Sequence, residues 1–81
     1  MSQSNLQELI EFIARSLVDD SAQVSVKEIP GEHAMVYELR VGPDDMGKVI
    51  GRNGRMARSI RTLLSAAASL DGRKASLEIL D

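Results

Sequence analysis

The chain has 81 residues, two aromatics, no cysteine and a net charge of −2. That describes one small domain, residues 1–81, expected to bury only about 60% of its unfolded surface without help from disulfides. The charge argues against a generic basic nucleic-acid binder, and Phe12 and Tyr37 alone make a poor platform for stacking bases.

Residues 1–4 are expected to be a flexible, polar N-terminus. Leu6, Leu9, Ile10, Ile13 and Leu17 recur at helical spacing. With Ser4 and Gln7 as a capping box, a helix is predicted over Ser4–Val18. Asp19 and Asp20 oppose the helix dipole at its C-terminal end, so the chain should leave the helix there. Val24 and Val26 then alternate with polar residues in a strand running to Ile29. Pro30-Gly31-Glu32-His33 turns the chain, and Met35, Tyr37, Leu39 and Val41 alternate in a second strand.

Gly42-Pro43 closes this hairpin, and Asp44 is placed to cap a short helix, Asp45–Ile50. After Gly51-Arg52-Asn53-Gly54 comes the longest helical pattern. Its expected apolar face is Met56, Ile60, Leu63, Ala67 and Leu70, widened by Ala57, Leu64 and Ala68, with Gly72 at its C-terminal cap. Ala75, Leu77 and Ile79 alternate in a last strand. The core is expected to include Leu9, Ile13, Leu39, Val41, Leu63, Ala67, Leu77 and Ile79.

The order α-β-β-α-α-β makes an α+β fold. A two-helix connection between the second and third strands requires a parallel pair, joined by a right-handed crossover. The hairpin adds the first strand antiparallel. The result is a three-stranded mixed sheet, second strand central, with the helices packed on one face.

Charge is distributed unevenly along this framework. From Met46 to Leu70 there are five basic residues (Lys48, Arg52, Arg55, Arg58 and Arg61) and no acid. The cluster surrounds Gly51 and Gly54 at the start of the long helix. Glycines let a backbone approach an anion closely, and a helix N-terminus favours one. The natural ligand for such a loop is a phosphate-bearing chain.

Two other patterns fail on chemistry. Gly42-Pro43-Asp44-Asp45-Met46-Gly47-Lys48 matches a P-loop up to Val49, which replaces the hydroxyl that would hold Mg²⁺. Pro43 also removes a cradle N–H, and Asp44 and Asp45 would repel phosphates. His33 is the lone histidine and has no cysteine or second histidine with which to share a metal. No catalytic constellation, cofactor or metal site is therefore expected. The acids of the first half are read as a solvated surface.

The stretch Gly47-Lys48-Val49-Ile50-Gly51-Arg52-Asn53-Gly54, between a short and a long helix, resembles the signature of the KH domain. The element order resembles its second type, with the additional helix and strand before the core. The resemblance spans Leu6–Leu80, and the chain's size is that of small stand-alone bacterial KH proteins. It implies a non-catalytic single-stranded RNA-binding protein, acting in RNA metabolism as a chaperone or post-transcriptional regulator and in control of cell shape and wall growth. It also implies a partner, either a second copy in a homodimer or a larger KH-domain-containing protein. By the family pattern Gly51, Arg52, Asn53 and Gly54 clamp the sugar-phosphate backbone. Lys48, Arg52, Arg55 and Arg58 offer it charge, and Val49, Ile50 and Ile60 form an aliphatic groove for bases. No residue pattern distinguishes RNA from single-stranded DNA here. The alternative is a KH-shaped interaction or dimerisation module with little RNA affinity. No membrane association is expected, and the expected location is the cytoplasm.

Overall fold

A computed structural model describes the backbone of residues 4–81 and the side chains of residues 6–81. Helix α1 (Ser4–Leu17) is followed by strands β1 (Ser25–Pro30) and β2 (Met35–Arg40). Helices α2 (Met46–Ile50) and α3 (Arg55–Leu70) come next, and strand β3 (Ala75–Leu80) ends the fold. The sheet order is β1-β2-β3, with β1 antiparallel and β3 parallel to the central strand. This is the expected α+β arrangement of a type II KH fold.

The register explains which sheet face is buried. Val26 pairs with Leu39, Leu39 with Ile79 and Tyr37 with Leu77, so the alternating apolar residues of all three strands share one side. Leu6, Ile10 and Ala14 of α1 and Ile60, Leu64 and Ala68 of α3 pack in the same core cluster. Tyr37 is completely buried, and its hydroxyl donates to Glu28 Oε2 at 3.1 Å. Burial, then this carboxylate partner, raises the phenol above its ordinary value of 10.0.

Several details differ from the sequence expectation. Leu63 is 56% exposed and Leu70 is 88% exposed, so neither belongs to the core. The apolar stripe of α3 is wide enough to be rotated either way, and the sheet takes the side bearing Ala57, Leu64 and Ala68. Small side chains there let the helix approach closely. Leu9, Ile13, Ala67 and Ile79 are only partly buried, whereas Leu39, Val41 and Leu77 are core as expected.

The capping box also needs correction. The Ser4 side chain lies outside the described residues, and the Gln7 amide instead donates to the Val26 carbonyl at 2.9 Å, tying α1 to β1. Asp44 does not cap α2. Pro43–Asp45 is a short 3₁₀ turn, α2 begins at Met46, and the Asp45 carboxylate makes no capping bond to its own helix. At its far end α3 closes as expected around Gly72. The Arg73 N–H donates to Ala68 O and the Gly72 N–H to Ser69 O, the paired bonds of a Schellman cap.

Candidate nucleic-acid interface

The loop between α2 and α3 is built from three consecutive unusual backbones. Gly51 has φ 76° and ψ 174°, a region essentially reserved for glycine. Asn53 (φ 56°) and Gly54 (φ 74°) are both left-handed, and asparagine is one of the few other residues that adopts this conformation readily. The Gly51 N–H donates to Gly47 O at 2.9 Å and the Gly54 N–H to Gly51 O at 3.1 Å. These bonds end α2 and fold the loop into a 3₁₀ turn that leads straight into α3.

The two glycines serve different ends. A Cβ on Gly51 would stand 2.6 Å from Met56 Cβ, so the loop backbone here is pressed against the first turn of α3. A Cβ on Gly54 would meet nothing within 4 Å. Gly51 is therefore packed from within, whereas Gly54 leaves open space on the outer side of the loop. That open space is where a ligand backbone can lie.

Charge surrounds it. Arg52, Arg55 and Arg58 are exposed, and none of them pairs with a carboxylate among the described residues. Lys48 is different. Its Nζ lies 3.0 Å from Asp19 Oδ2 and 3.3 Å from Asp45 Oδ1. Asp45 is only 3% exposed and accepts the backbone N–H groups of Asp19 (3.2 Å) and Asp20 (3.1 Å). These two backbone bonds, with help from Lys48, hold the Asp45 carboxyl below its ordinary 3.8, and the two carboxylates raise Lys48. Asp45 is thus not part of a solvated acidic surface. It caps the chain leaving α1, and Lys48 neutralises it. The lysine read as a phosphate contact is engaged in holding α2 to the end of α1.

The aliphatic residues also divide. Val49 and Ile60 are buried, at 0% and 2% exposure, and lie in the core beneath the loop; Ile50, at 37%, reaches the surface. Arg61, which sequence reasoning did not count among the site residues, donates from Nε to Leu77 O of β3 at 3.4 Å. It lines a cleft of about 240 Å³ between α3 and β3, with Leu64, Ser65 and Leu77. Only the fold brings this arginine to the sheet edge; its sole signal in the sequence was membership of the basic run. His33 and Glu32 are both highly exposed and 4.0 Å apart in the hairpin turn. Among the described residues no group of acids, histidines and cysteines is arranged to hold a metal, and no helix is long and apolar enough to cross a membrane.

The family model "KhpA/KhpB, KH domain" matches residues 7–79. The chain belongs to that family. It is 55% identical over 74 residues to the RNA-binding protein KhpA of Borreliella burgdorferi, covering 91% of this chain and 90% of the relative. The RNA-binding protein KhpA of Treponema pallidum is 51% identical over 75 residues, 93% of this chain and 94% of its own. That of Clostridium perfringens is 49% identical over 75 residues, 93% of this chain and all of its own. The KH resemblance seen in the Gly51–Gly54 segment thus extends across nearly the whole chain.

Proposed function

We propose that this protein binds single-stranded RNA without catalysis, as a single KH domain, gripping the sugar-phosphate backbone at Gly51-Arg52-Asn53-Gly54. The observation that carries this reading is the open outer side of Gly54, flanked by Arg52, Arg55 and Arg58 with no carboxylate partner among the described residues. RNA binding by KhpA relatives of about half identity and full length supports it. Ile50 offers apolar surface to a base, with Val49 and Ile60 fixing the helices beneath it. Phosphate contacts position the strand, so affinity at this loop is largely independent of base sequence. The protein works in the cytoplasm, where RNA is available.

A second reading, a protein-interaction module, is favoured by one observation. Phe12 is 70% exposed, and Leu63 and Leu70 stand out from α3. Pairing through such residues, with a second copy or a larger KH-bearing chain, raises avidity for RNA by effective concentration.

The deciding experiment replaces Arg52 and Asn53 together with aspartate. Asp tolerates the left-handed backbone of position 53, and both side chains are exposed, so stability should change by about 0.5 kcal/mol or less. RNA binding, measured by fluorescence anisotropy, should fall severely for every base sequence. A folded double variant that binds RNA as wild type does defeats the clamp. Loss of a protein partner by this variant, with no RNA affinity in wild type, supports the interaction module instead.

A further inference from the structure

The loop lies at one end of α3, a helix of 16 residues and so about 24 Å long. A KH loop clamps only about four nucleotides. The surface beyond it is not closed. The cleft between α3 and β3 that begins at Arg61 is continuous with a larger one of about 410 Å³, the two sharing Ser65 and Ala75. The second is walled by Ser69 on the helix and ends at Arg73 and Lys74. The outermost strand edge of the sheet, β3, forms its other side. Small neutral side chains line the middle of this path, and α3 itself carries no acid. Nothing along it blocks or repels a polyanion.

The far end is basic. Lys74 is exposed and has no ion-pair partner among the described residues. The Lys74 carbonyl accepts the Met35 N–H at 3.0 Å, which fixes the backbone that carries the side chain. Arg73 is partly buried beside the Tyr37 phenol, and its Nη1 has no hydrogen-bond partner among the described residues. Glu32 and Asp71 are the acids close by in the fold, and both are exposed. They leave Lys74 and Arg73 unpaired.

We propose that single-stranded RNA held at the loop continues along the α3–β3 cleft to a second phosphate contact at Lys74, supported by Arg73. The inference rests on the RNA-binding reading above and extends its footprint to the opposite pole of α3. Arg61, anchored on the Leu77 carbonyl, stands midway and supplies charge between the two poles. A short RNA then uses the loop alone, and a longer one uses both ends.

The test compares a uridine tetranucleotide with a uridine decanucleotide by anisotropy over a range of salt. Wild type should bind the longer RNA more tightly. Lys74→Gln should weaken the decanucleotide about threefold and make its log-log salt slope shallower by about 0.7, the increment for one phosphate contact. It should leave the tetranucleotide unchanged. Lys27→Gln, an exposed cation on the other side of the sheet, should alter neither. Amide resonances of Ala34, Ser69 and Lys74 should shift with the decanucleotide and stay in place with the tetranucleotide. An unchanged decanucleotide affinity in Lys74→Gln, or an equal loss in Lys27→Gln, overturns the second contact while leaving the loop intact. If wild type binds neither RNA, the RNA reading itself fails and the extension falls with it.

Discussion

Lys48 Nζ sits between two carboxylates, 3.0 Å from Asp19 Oδ2 and 3.3 Å from Asp45 Oδ1. Through Asp45, which also accepts the N–H groups of Asp19 and Asp20, this lysine joins α2 to the end of α1. The contact fixes the helix that leads directly into the glycine loop. It is a positioning contact for the proposed RNA site, made by a residue whose type and place suggested a phosphate ligand. Lys48→Gln should therefore lower the melting temperature yet leave the salt slope of RNA binding unchanged. A slope shallower by about 0.7 would instead make Lys48 a phosphate contact.

The same cluster sets an acid limit. The Asp45 carboxyl is held below its ordinary 3.8 by the Asp19 and Asp20 backbone bonds, then by Lys48. A depressed carboxylate contributes stability above its unfolded value and loses it as pH falls through the folded one. Wild type should thus lose stability on acidification below about pH 4. Asp45→Asn should be less stable at neutral pH and show a weaker dependence in that window. Thermal denaturation from pH 2 to 7 measures both, and parallel curves for the two proteins would remove Asp45 from the acid response. At the alkaline end Lys48, raised above 10.5 by its carboxylates, holds its contribution until pH rises through that higher value.

Salt dependence should follow the arginines. With Lys48 committed to carboxylates, Arg52, Arg55 and Arg58 remain for phosphates at the loop. Three contacts to a single strand give a log-log slope of about −2 for a short RNA. A salt-independent association would point to the protein-interaction reading.

The two loop glycines should respond differently to alanine. At Gly51 the backbone is confined to a glycine-only region and the new Cβ would meet Met56. Gly51→Ala should lose about 1–3 kcal/mol or more in a denaturation experiment. Gly54→Ala has room, and only its left-handed backbone is penalised, by about 1–2 kcal/mol. Yet the added methyl projects where a ligand backbone would lie, so RNA affinity should fall in protein that is still folded. Normal RNA affinity in Gly54→Ala would show that no strand passes close to this position.

Core packing gives a direct comparison between neighbouring leucines. Leu64 is 2% exposed and Leu63 is 56% exposed. Leu64→Ala should destabilise by about 2–5 kcal/mol, a large share of the stability of so small a domain. Leu63→Ala should stay within about 0.5 kcal/mol in the isolated chain. Similar denaturation midpoints for the two variants would mean that α3 is rotated from the position described.

The fold was legible because its signals are local and periodic. Alternation at Tyr37, Leu39, Leu77 and Ile79 specified strands, helical spacing specified α1 and α3, and the two-helix connection specified a parallel pair. The Gly51–Gly54 loop was legible too, because two glycines spaced this way inside a basic run have a direct conformational meaning. What the sequence left open was which way each element faces. Leu63 and Leu64 are equally apolar and adjacent, and only packing against the sheet decides that Leu64 goes inside. Asp45 and Lys48 look like solvated charges until the end of α1 is brought across to meet them. Arg61 becomes a cleft residue only when β3 returns beside α3 and offers the Leu77 carbonyl. Sequence periodicity encodes element type through near-neighbour sterics, whereas these partners are 16 to 26 positions apart. Their contacts exist only once the chain has closed on itself.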